Sequence, residues 1–552
     1  MVNVIIRLPG EDVDLPRTDV ALVMESTYPF LKGGVSAVVH DIVTNNPHLT
    51  FGIVHITWDS SLPRKDIYGM PPNVRWIDVV YLSLDETREA FSQAMSGKVN
   101  EADAVELLDA IATGVEGDAS RLFDLYDQTV NPLTRTRTLW PVLQAKATMD
   151  RVLDFVGQAK DISLGKAFWQ VRDYFSLVYA LLDRVQAPAD VYHAHTTGYA
   201  AMVAAVAAHQ RGGRFLLTEH NLYIRDTINY RLDRPLNLNV DDSAPDTLSR
   251  GTDDRMWLTW WILMGKIIYP LVDRSTYLFP QIIDHAATLG ANPDRAEVLP
   301  NGVVWERFKP VRQSRRRALD ALSPDKEWKI ACIARVVPIK GIRELIYAAE
   351  ILAKEGVDNI TIDVLGPTDE IEEYYEECLE LVEQLGLEGR INFRGAVVIH
   401  EELQHYDALI LSSFNEGQPI VVLEAMAAGL PILGTDVGGM QQLVLDTLRN
   451  PRTGKEFGPC GQLVPVADSE GLARMMKELS SDQNLYRTWH NNSLSRVRTI
   501  FLMPDVMRRY NELYQELRVQ ASGLTRRNLA ATARARWAFL PRKSKHRLRK
   551  TT

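Results

Sequence analysis

The 552-residue sequence is poor in cysteine: only Cys332, Cys378 and Cys460 occur, far apart. That excludes a disulfide scaffold, points to a reducing compartment and offers no zinc-ligand spacing. No Gly-x-Gly occurs anywhere. Neither the dinucleotide fingerprint nor the Walker loop can be drawn, so hydride transfer and P-loop chemistry drop away. His-Glu-x-x-His is missing as well, and with it that metalloprotease signature. No apolar run reaches the ~20 residues of a spanning helix. The longest, Met256–Met264 extended by Ile267-Ile268-Tyr269, is interrupted by Lys266 and Pro270 and reads as a buried helix. The N-terminal stretch Met1-Val-Asn-Val-Ile-Ile-Arg7 has no long apolar h-region and no small-residue cleavage site, so a soluble cytoplasmic protein is expected. Acidic residues are absent from 521–552, which hold ten Lys and Arg; the rest carries 52 basic against 71 acidic side chains. So acidic a body argues against a nucleic-acid binder, which needs a basic face.

Composition is otherwise globular, with 46% hydrophobic and 24% charged residues. Val20–Met24 reads as a strand buried on both faces. A loop to Gly34, a helix from Val35 to Ile42 and a strand Phe51–Ile56 follow, the opening of a wound α/β domain. Residues 85–186 have helical spacing and few strand runs, and read as a helical insertion. Wound structure resumes at Asp190–His195 and Arg214–Thr218. Residues 228–255 are polar and read as a long surface loop. The first domain spans 1–310, and 310–327 reads as a linker. A second wound domain over 328–500 has strands at Ile330–Ala334, Ile360–Leu365, Arg390–Phe393, Ala408–Leu411 and Pro431–Gly434, with helices between. A closing helix at 501–520 precedes the basic tail 521–552. The expected fold is α/β: two doubly wound, Rossmann-like domains facing across a cleft, which is where ligands of such sheets bind.

Four clusters fall at strand ends. In Asn415–Pro431, Pro419 opens a helix and Gly429 closes it. The first turn, Pro419-Ile420-Val421-Val422, has no acidic side chain, which leaves backbone N–H groups for an anion such as phosphate. Glu416 precedes this helix and Glu424 lies in its second turn. They read either as a pair accepting hydroxyl hydrogen bonds or as parts of a capped core helix. In Ala334–Gly341, Arg335 and Lys340 could meet a diphosphate, or be solvated loop charges. In Lys32–Ser36, Gly33 and Gly34 permit close backbone approach to a ligand. In Leu217–Asp226, Glu219, His220, Asn221, Tyr223 and Arg225 could meet a sugar. His193 and His195 share one face of a strand, in core or supporting roles, since no third metal ligand is evident at useful spacing; His195 is also a candidate for the sugar or acceptor pocket.

In this order the four clusters resemble the retaining glycosyltransferases of family 4, which have the GT-B fold. Glu416 and Glu424 match that family's Glu-x7-Glu motif, Arg335 and Lys340 its cation pair, and Gly33-Gly34 its glycine loop. Val298–Val303 and Thr435–Gly439 match further common stretches. Within the family the chain is most similar to the PelF-type cytosolic glycosyltransferases of exopolysaccharide synthesis, through Glu25-Ser-Thr-Tyr-Pro29, Thr218–Tyr223, Ala334–Lys340, Gly366-Pro-Thr-Asp369 and Glu376–Gly386. It departs from that pattern at Ser26 and Asn221, where the pattern has glycine.

The resemblance implies a metal-independent hexosyltransferase with a nucleotide-sugar donor, UDP-glucose, and a growing exopolysaccharide or other glycan as acceptor. It implies that Glu424 holds the ribose and Glu416 the donor sugar. Arg335 and Lys340 would neutralise the diphosphate, and Gly33, Gly34, Gly417, Pro419 and Ile420 would border the donor. His220 would lie near the sugar. No cofactor and no metal are expected; the one Asp-x-Asp, Asp12-Val-Asp14, precedes the first core strand. Other readings are a GT-B epimerase or phosphorylase, or a catalytically silent nucleotide-sugar sensor that regulates a membrane polysaccharide synthase.

The basic tail is either a solvated segment or an attachment to anionic lipid, at ~1 kcal/mol per basic residue. Attachment would suit an enzyme peripheral to the membrane that feeds an export complex. A chain ending at Ser522 is expected to lose flotation with anionic liposomes that the full chain retains; equal flotation would exclude lipid attachment through the tail.

Overall fold

The computed structural model describes residues 4–61, 65–116, 119–320, 323, 326–450 and 453–538. Its first domain is built on eight parallel strands: β1 (Ile5–Arg7), β2 (Thr18–Glu25), β3 (Phe51–Thr57), β4 (Val74–Tyr81), β5 (Ala189–Ala194), β6 (Arg214–Glu219), β7 (Arg274–Tyr277) and β8 (Ala296–Val298). They lie in the order β1-β4-β3-β2-β5-β6-β7-β8. The strand order reverses between β2 and β5, so their carboxyl ends border a crevice. Val20 to Met24 of β2 are at most 1% exposed, as an apolar strand covered on both faces should be.

The second sheet joins β9 (Trp328–Ile333), β10 (Ile360–Leu365), β11 (Ile391–Gly395), β12 (Ala408–Leu411), β13 (Ile432–Thr435) and β16 (Gly461–Val464). Their order is β11-β10-β9-β12-β13-β16, all parallel. A short antiparallel pair, β14 (Leu448–Arg449) and β15 (Glu456–Phe457), stands apart. Here the switch point lies between β9 and β12. The sheet-and-helix architecture is that of the GT-B fold.

Between β4 and β5 the helices Leu84–Met95, Glu101–Glu116, Ala119–Thr129, Lys146–Ala159 and Leu164–Leu182 form the insertion. The apolar run at 256–268 lies in the helix Thr252–Ile268, which buries Leu258, Trp261, Ile262, Met264 and Ile268. The closing helix, Met503–Ala538, is longer than the expected 501–520. Met503, Val506, Met507, Tyr510, Leu513, Tyr514 and Leu517 bury its apolar face against the first sheet. Residues 539–552 of the basic tail lie outside the described residues.

Two expectations need correction. Residues 310–327 are not a plain linker, because 309–320 form a helix. Arg315, inside this stretch, is 4% exposed. Its Nη1 donates to Tyr486 Oη and its Nη2 to the Leu403 and Tyr406 carbonyls, so both terminal nitrogens of the buried charge are met, while Nε has no partner among the described residues. The polar stretch 228–255 is less irregular than expected: it begins in the helix Tyr223–Arg231, contains the short helix Ala244–Thr247 and ends inside Thr252–Ile268. The sequence reading also passed over β4, whose Arg75 and Asp78 break its apolar run. Asp78 is fully buried and takes Arg7 Nε and Nη2 at 2.9 and 2.8 Å and Arg184 Nη2 at 2.5 Å.

This last site gives a stability prediction. Asp78→Ala leaves two guanidinium groups without their buried counter-charge and should cost about 3–5 kcal/mol. Denaturant unfolding of the variant checks it; a loss under about 1 kcal/mol would contradict the pairing.

Candidate active site

The loops after β9 and β12 interlock at the second switch point. Phe414 N–H donates to the Ile339 carbonyl at 2.8 Å, and Ser412 Oγ to the Lys340 carbonyl at 2.9 Å. Gly341 lies in the left-handed region, with φ 62°, and a Cβ there would lie 2.1 Å from the Ser412 carbonyl oxygen. A side chain at 341 would push the loops apart. Their approach brings Lys340 Nζ to 2.7 Å from Glu416 Oε1, and Ser413 Oγ donates to the same oxygen at 2.7 Å. Both charges are largely shielded, at 17% and 13% side-chain exposure. Arg335 is half exposed. Its Nη1 donates to both oxygens of Glu370 at 2.5 Å.

Pro419 is the N-cap of the helix Ile420–Ala428, one position earlier than its sequence assignment, and Gly429 ends the helix with φ 83°. The N-terminus has no side-chain cap and no acidic residue in its first turn. Across the cleft the helix Gly34–Asn45 begins at Gly33, again without a side-chain cap or first-turn acid. The space off the Cα atoms of Gly33 and Gly34 is open.

Both helix ends face one cavity of about 680 Å³. Lys32, Gly33, Gly34, His220, Arg335, Lys340, Glu370, Glu416, Gly417, Pro419 and Ile420 are among its walls. The size is that of a small-molecule site. Two uncapped N-termini and three cations make the cavity receptive to an anion.

The two domains meet here by close backbone contact. A Cβ on Gly417 would lie 2.2 Å from the His220 carbonyl oxygen. Asn301 N–H donates to Gln418 Oε1 at 2.7 Å, and Asn301 Nδ2 to the Gln418 carbonyl at 3.0 Å. Gln418 Nε2 reaches the Leu278 carbonyl at 3.1 Å. Gly439 N–H donates to the Gly417 carbonyl at 2.7 Å, which is where the Thr435–Gly439 stretch acts.

Glu424 does not line the main cavity. It borders an adjoining one with Asp41, Arg307 and Tyr510; Val38, Asn301 and Ile420 are common to the two. Burial pushes its carboxyl up to about 7, against the pull of Arg307.

His220 is a polar wall of the main cavity on the first domain's side. Its Nε2 is 3.0 Å from His195 Nδ1. The His195 ring lies 4.1 Å from that of His193, whose Nδ1 and Nε2 meet Tyr514 Oη at 2.8 Å and Thr218 Oγ1 at 2.7 Å. Burial lowers His220 to about 4 and His193 to about 3, and holds His195 well below its ordinary value. At neutral pH the stack is uncharged, so His220 offers a hydrogen bond rather than a cation.

Glu219, Asn221, Tyr223 and Arg225 stand behind this wall. Glu219 is fully buried and accepts from Tyr269 Oη at 2.9 Å and from Thr197 Oγ1; burial pushes it up to about 7. Tyr223 Oη donates to Glu25 at 2.6 Å. Arg225 Nη2 binds Asp226 at 2.8 Å and Asn221 Oδ1 at 2.9 Å, and Asn221 Nδ2 donates to Asp226 at 2.5 Å. Ser26, where the PelF-type pattern has glycine, is left-handed at φ 47°.

Sequence reasoning missed Glu370, Arg307 and Asp41, and quoted Lys32, Asn301 and Gln418 without a role. Glu370 follows Gly366-Pro-Thr-Asp369 after β10, so strand-end position could have marked it.

Residues 18–294 match the family described as Domain of unknown function (DUF3492), and residues 316–496 match Glycosyl transferases group 1. The chain belongs to the DUF3492 family and carries a group 1 glycosyl transferase domain. Among curated relatives of this group 1 chain is the D-inositol 3-phosphate glycosyltransferase of Paenarthrobacter aurescens. It is 30% identical over 161 residues, 28% of this chain and 39% of that protein. The Salinispora tropica protein of the same name is 30% identical over 252 residues, 42% of this chain and 49% of that one. The chain thus spans less than half of either relative. The GT-B fold recurs in HepE of Anabaena, crystallised with UDP and glucose, at a TM-score of 0.52 and 14% identity, covering 91% of this chain and all of that one. It recurs in sucrose-phosphate synthase of Thermosynechococcus elongatus at 0.53 and 17%, covering 90% and 98%.

The buried Glu424 gives a pH prediction. Its folded pKa lies above the ordinary 4.5, so the stability it contributes is full below about 4.5 and is lost as pH rises through about 7. Glu424→Gln removes this loss. The melting temperature of the variant relative to wild type should therefore climb between pH 5 and 8; a flat difference would contradict a buried carboxyl.

Proposed function

We propose that this chain is a metal-independent, retaining glycosyltransferase. It would move a glucosyl group from UDP-glucose to a glycan acceptor, in the manner of the PelF-type enzymes of exopolysaccharide synthesis. The observation that carries the reading is the convergence of Arg335, Lys340, Glu416 and two uncapped helix N-termini on one interdomain cavity.

The diphosphate would sit against the N–H groups at Gly33–Gly34 and Pro419–Ile420, with Arg335 and Lys340 meeting the charge that grows on it as the sugar–phosphate bond breaks. Arg335 is bound to Glu370, so the diphosphate would compete with that carboxylate for the guanidinium. Glu416, held by Lys340 and Ser413, would accept hydrogen bonds from sugar hydroxyls, and neutral His220 would add another contact. Glu424 would take the ribose in the adjoining cavity. Without a protein nucleophile assigned, the acceptor oxygen would attack the face that the diphosphate leaves. Its proton would pass to the departing phosphate oxygen.

Among the described residues no helix is long and apolar enough to cross a membrane. Contact with a membrane export complex would therefore be peripheral.

Release of the nucleoside diphosphate in EDTA (UDP, GDP or ADP according to the donor), across UDP-glucose, UDP-GlcNAc, UDP-GalNAc, GDP-mannose and ADP-glucose, tests the reading. Turnover of UDP-glucose is expected, with Glu416→Ala and Arg335→Ala each lowering kcat by about 10²-fold or more. Inverted product configuration by NMR would overturn retention. UDP binding without turnover of any donor would favour the silent sensor.

A further inference from the structure

Beside the donor cavity lies an open groove of about 730 Å³. Tyr230 and Arg234 line it from the helix Tyr223–Arg231 and the turn that follows. Trp257 and Trp261 come from the helix Thr252–Ile268, and Ile339 comes from the cation turn of the other domain. Ile339 directly precedes Lys340, which lines the donor cavity. The groove and the donor cavity are thus walled by adjacent residues of one turn.

Its chemistry is mixed in a particular way. Tyr230 is 81% exposed, an unusual position for a large aromatic ring. The Trp257 ring beside it is held in place: Tyr174 packs edge-on at 5.0 Å and the Arg231 guanidinium lies 5.7 Å from its centroid. Arg231 is itself fixed by Asp253 at 3.0 Å and Asp254 at 3.2 Å. Arg234 brings a guanidinium that makes no hydrogen bond among the described residues; its Nη1 is buried, so a ligand would meet its other N–H groups. Asp233, left-handed at φ 53°, turns the chain between them.

Preset aromatic faces beside unused hydrogen-bonding groups suit a sugar ring. Its C–H face packs on the negative face of an aromatic ring, while its rim hydroxyls need polar partners. Arg231 is already paired with Asp253 and Asp254, and Asp233 lies beside Arg234, so the groove has no excess of positive charge for a phosphodiester backbone.

We propose that this groove binds the end of the acceptor glycan, stacked on Tyr230 and Trp257 and hydrogen-bonded to Arg234, and leads its terminal hydroxyl past Ile339 to the donor. The proposal rests on the glycosyl-transfer reading above and gives it an acceptor subsite. It also moves acceptor recognition away from Glu219, Tyr223 and Arg225, which are engaged behind the cavity wall.

The test titrates the full chain, with and without saturating UDP, with cellohexaose, laminarihexaose, maltohexaose and chitohexaose, read by tryptophan fluorescence. At least one hexasaccharide should produce a saturable change. Tyr230→Ala and Arg234→Ala should each weaken it about tenfold or more, while the melting-temperature shift caused by UDP stays as in wild type. No response to any of the four, or unchanged glycan affinity in both variants, would overturn the groove. Failure of UDP to shift the wild-type melting temperature would instead count against the donor reading, and the glycan titration without UDP would still decide the groove. Tyr230 is so exposed that its replacement should fold; the variant's own melting temperature verifies that.

Discussion

The site depends on how closely backbones approach the loop between β12 and the helix Ile420–Ala428. At Gly341 and Gly417 the chain passes within a Cβ's reach of a carbonyl oxygen, from the same domain in one case and from the other domain in the second. These contacts admit no side chain. They place Lys340 against Glu416, and the Glu416 loop against the first domain. The interdomain bonds of Asn301 and Gln418 then hold the two halves in register.

Electrostatics follows from that packing. Helix ends normally carry a capping side chain or a first-turn acid. The two that open on this cavity, from opposite domains, have neither. Nearby cations are held by carboxylates: Arg335 by Glu370 and Lys340 by Glu416. An anion entering the cavity would therefore exchange ion pairs rather than meet bare charges, which limits the desolvation cost of assembling the site. The buried carboxyl of Glu424 and the neutral histidine stack complete a region where burial, more than neighbouring charge, sets protonation.

The closing helix joins this region to the rest of the molecule. Tyr514 reaches His193, and through the ring stack His220 at the cavity wall. Arg509 grips Glu297 with two bonds, 2.9 and 2.7 Å. The helix thus follows the second domain in sequence but belongs to the first in packing, and its position bears on both faces of the cleft.

Much of this was legible in the sequence. The apolar run Val20–Met24 and the period-two alternation Ile360-Thr-Ile-Asp-Val364 both mark strands, the first covered on two faces. Pro419 and Gly429 mark a helix by backbone geometry alone. The absence of an acid after Pro419 is a local fact that survives folding. Tertiary structure decided what depends on distant partners. Arg315 lies in a stretch that reads as a linker until the Leu403 and Tyr406 carbonyls accept its guanidinium. Asp78 hides β4 until Arg7 and Arg184 neutralise it. Glu219, Tyr223 and Arg225 look like pocket residues at a strand end, yet their hydrogen bonds turn them into scaffold. Spacing along a chain specifies which backbone can form, but the burial of a charge is set by groups that arrive from far away in sequence.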